Sequence, residues 1–311
     1  VGDLFIDCSG SHALLLNKHY GIKLKKVSNV LFNDTALAAQ VPYQHEQGDI
    51  ASHTISTAHD AGWIWDIGLP NRRGVGCVYA SNYFTDEQAE AELTKYLQQS
   101  LPEETIESLS YRKISFTPGY REKFWHKNCV AVGMASGFIE PLEASALALV
   151  ELSAKMIAKE LPANFAVMPL TEERFNQRFH YRWERIIEFL KLHYVLSERT
   201  SPYWLANRAE ESIPKRLKTL LTLWQYQEPT YNDFTEIEEI FPAASYQYIL
   251  YGMGFKTESR PSTRRYDNGR ISESLFQENQ QIVQKYLAGL PSNRALIDHM
   301  LKQNNSANKV N

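Results

Sequence analysis

Three cysteines in 311 residues, Cys8, Cys77 and Cys129, are too few and too scattered for a disulfide framework or a metal-ligand spacing, so a reducing cytoplasm is the expected compartment. Long apolar runs are also missing. The best of them, residues 129–139, stops at Glu140, and no membrane span is expected. Charge of one sign is missing as well: 33 Lys and Arg stand against 36 Asp and Glu, a formal net charge of -3. That balance argues against nucleic acid or an anionic membrane as the main partner. There is no Walker loop, no Ser nucleophile elbow and no GxGxxG. Gly252-Met253-Gly254 lacks the further Gly and follows an aromatic run, so it is not a dinucleotide loop. No H-x-x-x-H pair joins the nine histidines; His53, His59, His126, His180 and His193 read as surface or satisfied core residues. Internal repeats, low-complexity tracts and an N-terminal signal pattern are absent. The chain opens on Val1 inside a strand-like run, 1–7, which predicts further sequence upstream.

What is present is ordinary globular material with a rich share of aromatics: 43% hydrophobic, 22% charged, 12% aromatic, with 17 Tyr and 6 Trp. The length suits one large domain or two ordinary ones. Residues 4–7 predict a short strand ending in a Cys8-Ser9-Gly10-Ser11 turn. Alternation over 50–58, 62–69 and 75–81 predicts three antiparallel strands, the last two joined by a turn at 70–74. A helix follows from Thr85, where Thr85 and Gln88 form a capping box and Ala89, Leu93 and Leu97 share one face. Residues 106–117 read as strand, and 129–132 as a buried strand running into a Gly-rich bend, 133–137. A long helix is expected from near Pro141, with Leu147, Val150, Ala154 and Ile157 as its core stripe. Beyond Pro162 helices dominate: Phe175, Phe179, Trp183, Ile186 and Leu190 stripe one, 214–226 forms another and 276–287 a third. Residues 303–311 are polar and expected to fray. The expected class is α/β of mixed α+β character, with an antiparallel sheet in residues 1–165 and a mostly helical part in 166–311.

Two stretches carry candidate chemistry. In Gly62-Trp63-Ile64-Trp65-Asp66-Ile67, the tryptophans two apart project from one face of a strand. Taken alone they read more readily as core aromatics than as a rigid ligand wall. The bend Gly133-Met134-Ala135-Ser136-Gly137 feeds a helix N-terminus, where free N–H groups and the helix dipole favour an anion. Glu140 and Glu143 stand in or beside that first turn, and ordinary capping is the competing explanation.

Together these stretches resemble the flavin-dependent tryptophan halogenases. Residues 3–10 look like that family's strand beside the flavin. Residues 62–67 are similar to its signature W-x-W-x-I-P, and 133–143 resemble the segment carrying its active-site glutamate. Residues 183–199, followed by Ser201-Pro202-Tyr203-Trp204, look like its helical substrate part. The resemblance implies the later part of an FAD-binding, monooxygenase-like domain followed by a helical substrate domain. It further implies that reduced FAD, delivered by a separate flavin reductase, gives hypohalous acid from oxygen and chloride or bromide. That acid would travel a tunnel to halogenate a small arene, tryptophan or another indole. On the match, Glu143 is the catalytic carboxylate, and Ser145 and Ala146 offer the N–H groups that hold halide. Gly133, Ser136, Gly137, Pro141 and Leu142 lie beside the flavin, while Trp63, Trp65, Ile67 and Tyr246 line the tunnel or substrate pocket. A homodimer is an open expectation.

The departures are specific. Ile67-Gly68-Leu69-Pro70 displaces the signature proline, and Ala144-Ser145-Ala146 replaces Ser-Thr-Gly. Tyr246 stands where a substrate-stacking Trp is expected, so a smaller indole, another arene or a carrier-bound substrate stays open. The family's GxGxxG and catalytic lysine are not found in this chain, and Lys23, Lys25 and Lys26 lie in the wrong context for the latter. The chain alone is therefore expected to be inactive. A related flavin monooxygenase, or a halogenase-like binding protein without redox chemistry, are the alternatives.

Overall fold

The computed structural model describes residues 2–45, 47–236, 239–258 and 268–307, without the side chains of 304–307. Strands come first in the chain: β1 (Phe5–Asp7), β2 (Leu24–Lys26), β3 (Thr35–Val41), β4 (Ile55–His59), β5 (Gly62–Gly68) and β6 (Arg73–Tyr79). After α1 (Asp86–Leu97) and the short α2 (Glu103–Glu107) come β7 (Arg112–Ser115), β8 (Gly119–Arg121), β9 (Trp125–His126), β10 (Cys129–Ala131) and β11 (Gly137–Phe138). Helices then take over: α3 (Ser145–Lys159), α4 (Met168–Val195), α5 (Pro202–Arg208), α6 (Lys215–Trp224), α7 (Ala243–Gly252), α8 (Gly269–Gly289) and α9 (Asn293–Ala307).

The main sheet has the antiparallel order β4-β5-β6-β3-β7. Side-chain alternation divides its faces. Ile64, Val75, Cys77, Tyr79, Leu37 and Val41 meet Ala89, Leu93 and Leu97 of α1. Trp63, Val78 and Ala36 point the other way, into a core shared with α3, α4 and α5. Each Leu buried completely on α1 contributes about 2–3 kcal/mol of apolar burial. Helix α1 starts where the sequence places it, with the Thr85 hydroxyl accepting from the Gln88 N–H and the Gln88 side chain returning the bond. A smaller sheet pairs β1 with β10 in parallel, and β10 with β9 antiparallel. A third runs β11-β8-β2.

Several expectations are corrected. The strand read at 50–58 is confined to β4. Ile106 lies in α2, so the strand read over 106–117 shrinks to β7. The interior strand β3 was missed, because its alanines give no marked alternation. Helix α3 starts at Ser145 rather than near Pro141, after a 3-10 turn at Leu142–Ala144. Half of its expected stripe holds: Ile157 is buried and Val150 packs on the main core, but Leu147 is 80% exposed and Ala154 is exposed, with Leu149, Ser153 and Met156 buried in their stead. The stripe of α4 holds, with Phe175, Phe179, Trp183, Ile186 and Leu190 all buried. The helix read at 276–287 lies within α8, which buries none of its residues. Within the polar tail, 303–307 are helical; residues 308–311 lie outside the described residues. The expected division near residue 165 falls just before α4, yet α4 shares one core with the sheet. Cys8, Cys77 and Cys129 are free thiols.

Candidate active site

The chain leaves β10 through Gly133, whose φ of 66° is the left-handed conformation glycine tolerates. It turns through a 3-10 segment, pairs briefly as β11 and reaches Ile139-Glu140-Pro141-Leu142-Glu143. Glu143 and Ala144 both adopt left-handed backbone, φ 62° and 48°. For residues bearing a Cβ this costs about 1–2 kcal/mol each, and such strain concentrates where a side chain must be aimed. The consequence is that Glu143 projects off the start of α3 rather than lying along it. Ser145 and Ala146 are the first two residues of α3, so their N–H groups have no acceptor within the helix.

Helix α4 clamps both glutamates with one stretch of its length. His193 Nε2 lies 3.0 Å from Glu143 Oε1, while its Nδ1 lies 2.9 Å from the Phe189 carbonyl. One residue on, the Tyr194 hydroxyl donates to Glu140 Oε2 at 2.5 Å. The same oxygen accepts from Asn33 Nδ2 at 2.6 Å and from the Trp63 indole N–H at 2.8 Å. Glu140 is buried, and its Oε1 has no hydrogen-bond partner among the described residues. Burial pushes its carboxyl above the usual range; the donors from Tyr194, Trp63 and Asn33 work against that rise. The Tyr203 hydroxyl completes the network by donating to Asn33 Oδ1 at 2.9 Å. Beside it lies Lys191, fully buried, donating to Asn207 Oδ1 at 2.8 Å with its ammonium 4.7 Å from the centre of the Phe32 ring. Burial pulls Lys191 down to about 7, with the charge of Glu140 acting in the opposite sense.

Trp63 and Trp65 share a sheet face as expected, their rings 6.3 Å apart and edge to face. Ile67, next on that face, is exposed at the strand end. Tyr246 is buried elsewhere, among Phe189, Trp224 and Phe234; it and His193 both pack on the Phe189 ring. Ser136 is buried, with its hydroxyl bonded to the Gly133 carbonyl. Gly137 packs so tightly on β8 that a Cβ would lie 2.6 Å from the Gly119 carbonyl. Pro141 is exposed, and Leu142 packs partly on the main core. His59 meets the expectation of a satisfied core histidine: it faces the Val78 carbonyl at 3.0 Å, and burial pushes it down to about 4.

His193, read from the sequence as a surface or satisfied core residue, instead meets Glu143, 50 residues away in sequence. Asn33 was missed, and Lys191, Tyr194 and Tyr203 lay within the stretch likened to the substrate part without being given a role. One signal was available: Ile187, Lys191 and Tyr194 sit at helical spacing on a buried face of α4, an unusual place for a lysine.

The residues present fit one wall of a flavin site. Ligands of α/β folds gather beyond the carboxyl ends of parallel strands, and β1 and β10 end together at Asp7 and Ala131. The Gly10 turn and the Gly133 bend lie just past those ends. Gly10 has a left-handed φ of 69°, and a Cβ there would meet nothing within 4 Å, so bare backbone faces open space. Asp7 itself is occupied in shaping this wall. It accepts from the Ser9 hydroxyl and from the N–H groups of Ser9, Leu15 and Leu16. Burial would raise its carboxyl, but these bonds hold it below the usual carboxylate range. Among the described residues no group of three or more His, Cys, Asp or Glu is arranged to hold a metal, and no helix is long and apolar enough to cross a membrane.

Comparison with known proteins gives this arrangement a family. The tryptophan halogenase family profile matches residues 1–268. The crystal structure of a tryptophan halogenase from Shewanella frigidimarina is 47% identical, with a TM-score of 0.91 over 96% of this chain and 56% of that one. Tar14, a tryptophan C-6 flavin-dependent halogenase from taromycin biosynthesis, is 32% identical with a TM-score of 0.89, over 96% of this chain and 58% of that one. The 7-chloro-L-tryptophan 6-halogenase KtzR of Kutzneria sp. (strain 744) is 33% identical over 81% of this chain and 48% of its own length. The chain thus spans about half the length of these relatives. With a profile match over most of its length and a shared fold at this identity, the chain belongs to the tryptophan halogenase family.

Proposed function

We propose that this chain supplies the halide- and arene-handling part of a flavin-dependent halogenase acting on tryptophan or a similar indole. The observation that carries the reading is Glu143, held in left-handed backbone beside the free N–H groups that open α3. Gly10, Gly133 and Met134 would form one wall of the FAD site. When bound, FAD supplies the oxygen activation that converts chloride or bromide into an electrophilic halogen donor. A separate flavin reductase would deliver the reduced form.

The chain's own residues do the rest. The N–H groups of Ser145 and Ala146 and the dipole of α3 attract the halide. Trp63, pinned by its indole N–H to Glu140, and Trp65 beside it form an apolar wall between flavin and arene. Glu143 accepts the ring proton as the halogen–carbon bond forms and the C–H electron pair returns to the ring. The relative named as a tryptophan C-6 flavin-dependent halogenase supports both cofactor and substrate class.

The test is Glu143→Gln in the complete enzyme, assayed with reduced FAD, bromide or chloride, and an indole panel. General-base catalysis of this kind is worth about 10²–10⁴-fold, so halogenation should fall by at least about 100-fold while flavin binding persists. Turnover within a few-fold of wild type would refute the assignment.

A further inference from the structure

Glu143 sits on a short turn with its side chain a third exposed, and nothing on that turn fixes the direction of its carboxylate. The fixing group comes from α4. We propose that His193 is the positioning residue for Glu143: its Nε2–H holds Oε1 and leaves Oε2 as the oxygen that meets the substrate proton. This rests on the role given to Glu143 above.

Three observations converge. First, the ring is anchored at its far side, because Nδ1 lies 2.9 Å from the Phe189 carbonyl one helical turn earlier. The Phe189 ring also meets the imidazole edge to face at 5.2 Å. The remaining freedom of the ring is small, and Nε2 is thereby aimed at Oε1, 3.0 Å away. Second, both ring nitrogens face acceptor oxygens. The Phe189 carbonyl can only accept, so Nδ1 donates there, and Nε2 is the nitrogen left to meet the Glu143 carboxyl. Third, Glu143 Oε2 has no hydrogen-bond partner among the described residues, so one oxygen is held and its twin is free. His193 is the less exposed of the pair, 16% against 33%, which suits a support behind a working group.

The chemistry adds no new reagent. The arene gains halogen, its C–H bond breaks, and the proton moves to Glu143 Oε2. His193 forms and breaks no covalent bond to substrate; it keeps the carboxylate pointed.

The experiment compares His193→Phe, His193→Gln, Glu143→Gln and the His193→Phe/Glu143→Gln double variant in the complete enzyme, with bromide, reduced FAD and tryptophan or indole. His193→Phe keeps the ring volume beside Phe189 and removes the donor; kcat should fall about tenfold or more, with KM for the arene and FAD affinity within about twofold. His193→Gln can still donate to Oε1 and should recover most of that loss. The double variant should be no slower than Glu143→Gln, because residues that act as one unit are not additive. In parallel, NMR of the 311-residue chain should show an exchange-protected imidazole N–H that disappears in Glu143→Ala. Unchanged kcat in His193→Phe overturns the proposal while leaving Glu143 intact as base. A loss in both His193 variants that tracks thermal stability overturns it in favour of simple packing. An active Glu143→Gln enzyme overturns the base assignment and this proposal together.

Discussion

Lys191 is the least expected side chain in the molecule: an ammonium with no exposed surface, one hydrogen bond to Asn207 and an aromatic face. Its folded value, pulled down to about 7, lies below the usual 10.5. Between those limits the unfolded chain binds more protons than the folded one, so stability rises with pH there, by up to about 1.4 kcal/mol per unit. Below pH 7 the buried ammonium carries its full desolvation cost. We expect Lys191→Met to remove this slope, which urea denaturation of both proteins between pH 7.5 and 9 measures; equal slopes would show that Lys191 is not desolvated. Glu140 behaves in the mirrored sense. Raised by burial, it lowers stability as pH climbs above the usual carboxylate value. Trp63 is tied to this cluster, so Trp63→Ala both empties core volume and strips a donor from Glu140. A loss of about 3–5 kcal/mol is expected in denaturant titration. In the complete enzyme, halogenation should fall further than flavin oxidation, because the wall between flavin and arene is breached; an equal fall in both would indicate destabilisation alone.

At the scale of elements, Gly76 on β6 lies under the Trp65 indole: a Cβ would come within 2.2 Å of that ring. Gly74, two residues away on the same strand, has nothing within 4 Å of an added Cβ. Gly76→Ala should therefore displace Trp65, lower stability by about 1–3 kcal/mol and change tryptophan fluorescence. Gly74→Ala should stay within about 0.5 kcal/mol of wild type. Helix α8 offers the opposite test. Its apolar residues, among them Ile271, Leu275 and Ile282, are all exposed, so Leu275→Gln with Ile282→Gln should leave the thermal midpoint of the 311-residue chain nearly unchanged. A marked drop would mean that these residues are buried in solution. Elements also show where periodicity is legible. Helices α1 and α4 are covered on one side by a continuous core, and their stripes were readable from spacing. Helix α3 begins four residues later than Pro141 implies, because Glu143 and Ala144 are left-handed, and near its start Leu149 rather than Leu147 is buried. Backbone strain at a working residue leaves no mark on hydropathy.

At the scale of the whole molecule, the parallel pair β1–β10 is unusual in carrying exposed apolar residues: Phe5 is 41% exposed and Ile6 51%. Parallel strands are ordinarily covered on both faces, and the relatives are about twice as long as this chain. The sequence contains no GxGxxG to cradle a pyrophosphate. FAD at ~100 µM should accordingly raise the melting temperature of the 311-residue chain little or not at all, since ligand stabilisation requires concentrations well above Kd. A shift of several degrees would show that the Gly10 and Gly133 wall suffices.

By itself the sequence determined the family signature at 62–67 and 133–143, the antiparallel strands β5 and β6, the cap of α1 and the stripe of α4. All of these depend on local spacing, which one chain displays without folding. Tertiary structure decided that His193 meets Glu143 across 50 residues and that Glu140 gathers Asn33, Trp63 and Tyr194 from three other segments. It decided also that Lys191 is buried with Asn207 and that Tyr246 packs in the helical core rather than beside Glu143. These are contacts between distant segments. Their geometry is set by how sheet and helices share a core, and hydropathy along the chain carries no record of it.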